Sequence, residues 1–177
     1  MKFVYFPFFL FAFSVFSAQN SDKKYWAKDS LLSWTDFKDT PKKKRVAALS
    51  YCGIQFRNCD YKYGQTPKYK FISFFQRNLS WVWENTKLNY VLKHEQLHFD
   101  ITELFARKMR KYFSESEIDI EDSKDIYKQI FDQYGIFQDQ YDKDTQHGTL
   151  DKEQAKWQLE IEKQLLSLEK YAEDKCY

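Results

Sequence analysis

The sequence contains few of the residues that break or loosen a chain. Its 177 residues include only four glycines and three prolines, whereas aromatic residues make up 20%. Disordered and low-complexity chains show the opposite balance, because they lack the apolar surface whose burial offsets the entropy lost on folding. The composition therefore predicts an ordered chain, and the length is that of one domain with a sizeable core.

A strong charge of either sign is also absent. The 28 basic and 26 acidic residues leave a formal net charge of +2, which falls to +1 without residues 1–18. A nearly neutral protein does not attract nucleic acid through its overall field. The dense basic run at residues 42–45 follows Pro41 and is typical of a solvated turn. We therefore expect no nucleic-acid partner.

The long hydrophobic run of the sequence lies at its start. Met1 and Lys2 precede an apolar stretch at residues 3–16, and the small residues Ser17 and Ala18 precede polar sequence. A secretory signal peptide has this order, with cleavage after one of the small residues. The alternative is a membrane anchor, but the run is shorter than the ~20 residues that a spanning helix needs. We predict a signal peptide at residues 1–18, no membrane span after its cleavage, and one exported domain at residues 19–177, secreted or periplasmic.

Cysteine is scarce, and the number of cysteines is odd. Cys52, Cys59 and Cys176 cannot all pair within one chain. In an exported protein Cys52 and Cys59 could close a short loop, and pairing of either with Cys176 stays open. Their spacings match no familiar arrangement of zinc-binding cysteines.

The first half of the predicted domain has the patterns of β-strands. Residues 45–56 are rich in β-branched, aromatic and small side chains and predict a strand, with a bulge or turn at Gly53. Residues 60–67 are typical of a turn. Residues 68–82 alternate in part between apolar and polar side chains, which predicts one or two further strands.

The second half has the patterns of helices. Residues 90–112 contain no glycine or proline and predict one long helix. Ser123 is a candidate cap for a second helix that Gly135 would end or kink, and residues 139–150 are typical of a polar loop. A third helix is predicted at residues 151–172 from a single apolar stripe. The predicted fold is α+β and zincin-like, with an N-terminal β-sheet followed by an active-site helix and two further helices.

The long predicted helix contains the motif His94-Glu95-Gln96-Leu97-His98, an H-E-x-x-H pattern that uses two of the three histidines in the chain. On a helix the two histidines lie about 40° apart and one turn from each other, so that both imidazoles can reach one metal ion. Glu95 lies about 100° from His94, where it is better placed to deprotonate a water than to bind the metal. The motif therefore predicts a Zn²⁺ site with Glu95 as its general base.

A catalytic zinc ion usually has three protein ligands, so a third must come from elsewhere in the chain. His147 is the remaining histidine, and the adjacent Gly148 permits a tight backbone turn. A carboxylate of the middle segment, Glu117 or Glu121, is the competing candidate.

Three other polar residues need an interpretation. Tyr141 is a candidate catalytic residue that would donate a hydrogen bond to an oxyanion, although a packed aromatic ring among thirteen tyrosines is the simpler reading. Asp100 and Glu103 lie on the motif helix but project away from the metal, so we expect them behind the ligands or on the surface.

The chain resembles a family of bacterial exported proteins of unknown function that are described as predicted secreted zinc-dependent proteases. The residues that carry the likeness are Leu32-Ser33-Trp34-Thr35-Asp36-Phe37, residues 47–54 with Gly53-Ile54, Ser80-Trp81-Val82, residues 92–101 with Glu103, Ala106 and Arg107, Tyr141-Asp142, Thr145, His147-Gly148, Gln154 and Trp157. The resemblance implies that His94, His98 and His147 bind the metal and that Glu95 is the base. Leu97 departs from the family, whose members often have glycine there, but it points away from both histidines.

These patterns lead to one main functional hypothesis and two alternatives. The main hypothesis is an exported zinc-dependent metallopeptidase, whose peptide or protein substrate pairs with an edge strand from residues 68–82. The first alternative is an envelope binding protein that zinc stabilises without turnover. The second is a metalloamidase acting on cell-wall peptides. The oligomeric state and the substrate are left open.

Overall fold

The computed structural model describes residues 22–42, 46–60, 62, 67–173 and 175–177. The predicted signal peptide and the start of the first predicted strand lie outside these residues. The predicted α+β architecture is confirmed, since the strands precede three helices in the chain. The strands are β1 (Lys23–Tyr25), β2 (Ala48–Leu49), β3 (Cys52–Asn58), β4 (Tyr69–Gln76) and β5 (Trp81–Val82), and the helices are α1 (Asn89–Glu115), α2 (Ile120–Thr145) and α3 (Asp151–Ser167).

The strands form two small antiparallel sheets. One has the order β1-β4-β3, and the other pairs β2 with β5. Burial alternates along β4, whose residues Tyr69, Phe71, Ser73 and Phe75 face the protein interior. Because β4 is paired on both sides, the edge strand that we predicted within residues 68–82 is not β4.

Helix α1 is the centre of the packing. Its 27 residues include fifteen buried side chains, and it contacts β4, α2 and α3. Two apolar clusters meet it, one around Phe71, Leu104 and Ile161 and the other around Phe75 and Phe99. A helix enclosed in this way holds its side chains in fixed positions, as a binding site requires.

Buried charges on α1 are paired. Glu103 forms ion pairs with Arg107 at 3.0 Å and with Arg110 at 2.8 Å, and it accepts a hydrogen bond from the Ser73 hydroxyl at 2.5 Å. Arg110 also donates to the Phe71 carbonyl at 2.8 Å. These bonds join α1 to β4 and compensate for the cost of burying the charges.

Helix α2 departs from the prediction at both ends. Its N-cap is Asp119, whose side chain accepts from the Asp122 amide, and not Ser123. The helix passes through Gly135 and ends at Thr145, so the predicted loop at residues 139–150 is helical in its first half. One glycine costs a helix only about 1 kcal/mol, which packing of the inner face of α2 readily offsets.

The C-terminal segment is fastened to the sheet. Helix α3 ends at Ser167, earlier than predicted, and a short 3-10 helix follows at Glu169–Tyr171. Tyr177 exchanges backbone hydrogen bonds with Tyr69. A disulfide joins Cys59 to Cys176, while Cys52 is a free thiol. The short Cys52–Cys59 loop therefore does not form. Within the described residues, no helix is both long and apolar enough to cross a membrane.

Candidate metal centre

Three donor atoms from two helices converge at one point. His94 and His98 extend from adjacent turns of α1, as the motif predicts, and their Nε2 atoms lie 3.1 Å apart. Asp142 of α2 contributes Oδ1, which lies 3.0 Å from Nε2 of His94 and 3.1 Å from Nε2 of His98. This triad of His94, His98 and Asp142 could hold a metal ion.

The size of the triad matches one face of a metal coordination tetrahedron. At metal–ligand bonds of about 2.0–2.1 Å, two ligands of a tetrahedral site lie about 3.3 Å apart. The three measured separations are 3.0, 3.1 and 3.1 Å. Little movement would be needed to bind a metal ion of this bond length.

Two glutamines determine the tautomers of the histidines. Gln154 of α3 presents Oε1 to Nδ1 of His94 at 3.2 Å, and Gln138 of α2 presents Oε1 to Nδ1 of His98 at 2.6 Å. An amide oxygen only accepts hydrogen bonds, so each Nδ1 carries the proton and each neutral ring turns an unprotonated Nε2 toward Asp142.

The three converging atoms are therefore all electron-rich, and a cation is needed between them. Burial by itself lowers the pKa of His98, but the hydrogen bond that the ring donates to Asp142 and the nearby Glu95 charge outweigh it, and the pKa is raised. Burial raises the pKa of Asp142, yet its bonds to His94 and His98 hold that pKa well below its usual range.

Glu95 faces the cleft beside the triad. The cleft has a volume of about 650 Å³ and is lined by residues 46–52 and by side chains of α1 and α2. Glu95 is buried, and no hydrogen bond or ion pair to its carboxylate occurs among the described residues. Its carboxylate is thus available to a ligand in the cleft.

His147 lies next to the triad without belonging to it. Its Nδ1 is 3.3 Å from Oδ1 of Asp142, but its side chain is 71% exposed. Gln146, His147 and Gly148 all have positive φ angles, of 48°, 54° and 79°. Two consecutive non-glycine residues in this region are unusual and are found most often near functional sites. In the structure Asp142 completes the triad, and His147, the third ligand that the sequence predicts, lies beside it.

The turn after α2 also brings glycine against a histidine. A Cβ atom on Gly148 would lie 2.7 Å from Cβ of His94. Only glycine fits this position, both for its φ angle and for the close approach. The competing carboxylates Glu117 and Glu121 are exposed and lie outside the triad.

Tyr141 supports the site from behind. Its ring stacks on His94 with centroids 4.7 Å apart, and its hydroxyl donates to Oε1 of Gln154 at 2.8 Å, with the His94 carbonyl as a second acceptor 3.2 Å away. The side chain is fully buried, and burial raises the pKa of the hydroxyl. The structure thus directs this hydroxyl to the groups that hold His94 and not into the cleft.

The two acidic residues predicted to turn away from the metal do so. Asp100 accepts a hydrogen bond from the Trp26 indole at 2.8 Å, and Glu103 belongs to the buried arginine pairs. Burial raises the pKa of Asp100.

Sequence reasoning missed Asp142, Gln138 and Gln154. A signal existed, because Gln138, Tyr141, Asp142 and Thr145 are spaced as one face of a helix. A search for apolar periodicity does not find this face, since three of its four residues are polar.

A model of a bacterial protein family of unknown function (DUF922) matches residues 75–148. The matched segment includes all three residues of the triad, Glu95 and His147. No match to a curated protein or to a solved structure is found. The family description assigns no activity.

Proposed function

We propose that this protein is a zinc-dependent hydrolase of peptide bonds, with the metal held by His94, His98 and Asp142 in a zincin-like site. One observation carries the proposal. Two imidazole nitrogens with their protons fixed on the far side, and one carboxylate oxygen, meet at 3.0–3.1 Å. Nitrogen and carboxylate donors in a site with three protein ligands are the set that catalytic zinc uses.

Glu95 supplies the acid–base chemistry in this proposal. A bound zinc ion lowers the pKa of water and polarises a carbonyl group. Glu95 holds the attacking water from the adjacent face of α1 and accepts its proton. It then passes this proton to the nitrogen of the departing amine, so that one carboxylate serves both steps. The absence of any competing partner for Glu95 among the described residues supports this role.

The cleft wall formed by residues 46–52 offers a binding edge for an extended peptide. Trp83 donates its amide to the Ala47 carbonyl, and the next pair in register is Ala48 with Val82. Because antiparallel pairs alternate between bonded and unbonded, the peptide groups of Ala48 point away from β5, and Ala48 lines the cleft. A substrate strand pairing here would lie across the site.

The edge of β3 is less suited to a substrate strand. Its Ile54 carbonyl accepts a hydrogen bond from Tyr127 at 2.8 Å, and its Cys52 carbonyl one from Tyr134 at 3.5 Å. Both tyrosines belong to α2, which covers this edge. The substrate edge is therefore proposed at Ala48 of β2, because β3 is covered by α2 and β4 is paired on both sides. The sequence instead predicts this edge within residues 68–82.

We further propose that the protein is exported. The signal-like start of the sequence supports this, and so does the Cys59–Cys176 disulfide, because such bonds persist in oxidising compartments.

The decisive experiment compares Glu95→Gln with the wild type in zinc content and in hydrolysis of a mixed peptide library. We expect one zinc ion per chain in both proteins and loss of hydrolysis in the variant alone. Glu117→Gln, an exposed carboxylate outside the cleft, is the matched control and should behave as the wild type. Hydrolysis at the wild-type rate by Glu95→Gln would refute the mechanism. Zinc without hydrolysis in the wild type would favour the binding protein, or an amidase once cell-wall peptides are tested.

A further inference from the structure

Each histidine of the triad is held by a glutamine from a different helix. We propose that Gln138 and Gln154 are the positioning residues of the metal centre, and that their neutral amides set how tightly the metal is held. This inference rests on the proposed metal site but not on peptide hydrolysis. Neither glutamine is a metal ligand, because each lies on the far side of its imidazole ring.

Gln138 forms two hydrogen bonds with His98. Its Oε1 accepts from Nδ1 of His98 at 2.6 Å, and its Nε2 donates to the backbone carbonyl of the same residue at 2.9 Å. The second bond determines which end of the amide faces the ring, and therefore that the ring nitrogen is the donor. The pair of bonds sets both the rotation and the tautomer of His98.

Gln154 holds His94 together with Tyr141. Its Oε1 accepts from the Tyr141 hydroxyl at 2.8 Å and from Nδ1 of His94 at 3.2 Å. The Tyr141 hydroxyl donates to this atom, which is therefore the amide oxygen, and an oxygen here requires the proton on Nδ1 of His94. Nε2 of Gln154 has no hydrogen-bond partner among the described residues. This nitrogen can consequently be exchanged for oxygen without loss of a bond.

The charge of these residues is the basis of the inference. A carboxylate behind a metal-binding histidine raises the basicity of the ring, whereas an amide orients the ring without adding charge. Asp142 already provides one negative charge within the triad. Two neutral amides leave more positive charge on a bound metal, which favours acidity of its water over tight binding.

The test measures the zinc affinity of the purified protein by competition with a chromogenic chelator. Gln154→Leu and Gln138→Leu should each weaken binding about 10- to 100-fold, the range seen when partners behind metal ligands are lost. Gln154→Glu keeps both accepted hydrogen bonds and adds a charge, so it should bind zinc more tightly than the wild type. Gln158→Leu and Gln140→Leu, exposed on the same two helices, are matched controls.

A second readout separates positioning from folding. With Co²⁺ in place of zinc, the visible absorption bands of Gln154→Glu should shift, while the unfolding temperature of its metal-free form stays that of the wild type. If Gln138→Leu and Gln154→Leu had the same zinc affinity as the control variants, the inference would be wrong. So would a Gln154→Glu variant that binds as weakly as Gln154→Leu. A wild type that binds no zinc would overturn the proposed function as well, whereas normal binding in every variant would overturn this inference alone.

Discussion

Substitution of Gly148 by alanine should damage the proposed metal centre, although Gly148 is not one of its proposed ligands. The added Cβ would lie 2.7 Å from Cβ and 2.8 Å from Cγ of His94, whereas carbon atoms in contact are about 3.5–4.0 Å apart. The neighbour cannot yield freely, because His94 is buried and stacked on Tyr141. The imidazole must therefore shift by about 1 Å, twice the tolerance of about 0.5 Å for a preorganised site.

Two costs add in the folded state of Gly148→Ala. A left-handed φ angle costs an L-residue roughly 1–2 kcal/mol, and an extra carbon in a packed region costs roughly 1–3 kcal/mol. We expect the free energy of unfolding of the metal-free protein to fall by about 2–5 kcal/mol. We also expect its zinc affinity to fall by more than about tenfold, as for other losses of support behind a ligand.

Gly135→Ala is the matched control for this experiment. A Cβ at Gly135 would meet no atom within 4 Å, and the residue lies inside helix α2. This variant should be more stable by about 0.5–1 kcal/mol, with unchanged zinc affinity. Urea unfolding and chelator competition on both variants provide the measurements. If Gly148→Ala matched the wild type in both, the proposed contact with His94 would be wrong.

Three further outcomes are expected. Asp142→Ala should lower the zinc affinity by more than about 100-fold, and His147→Ala should lower it far less, both measured by competition with a chelator. The reverse order would make His147 the third ligand. The metal-free protein should be most stable between about pH 4 and pH 6.5 in urea titrations. The lowered pKa of Asp142 stabilises the fold above the pKa of an unfolded aspartate, about 4, whereas the raised pKa of His98 stabilises it below the pKa of an unfolded histidine, about 6.5. An Asp142→Asn variant with the same pH of maximum stability would refute this. Cys59→Ser removes a disulfide spanning 117 residues and should lower the free energy of unfolding by about 4–5 kcal/mol in urea unfolding, with Cys52→Ser as the control. A Cys59→Ser variant as stable as the wild type would show that the disulfide does not form.

The local patterns that the sequence carries were sufficient for the motif helix. Residues 90–112 lack helix breakers, and the structure has α1 at Asn89–Glu115. The convergence of His94 and His98 follows from the same local geometry, because residues four apart on any helix share a face. That Asp100 and Glu103 point away from the two histidines was predictable for the same reason.

Local patterns failed where polar side chains face inward. The predicted loop at residues 139–150 is helical in its first half, and the prediction is wrong there because Tyr141, Asp142 and Thr145 do not form an apolar stripe. In the structure this polar face packs on the histidines of α1, where its hydrogen bonds replace hydrophobic burial. Gly135, which the sequence predicts to end or kink the helix, does not end it, because packing of the residues on either side outweighs the weak helix propensity of glycine.

By itself, the sequence determined the α+β order of elements, the long helix and the two histidines that it aligns. These depend on spacings of a few residues, which the backbone geometry of a helix or strand converts directly into position. Only the tertiary structure decided that Asp142 completes the triad, that Gln138 and Gln154 orient its rings, and that Cys59 pairs with Cys176. Those contacts join residues 40 or more positions apart, and their partners are selected by how α1, α2, α3 and the sheet pack together.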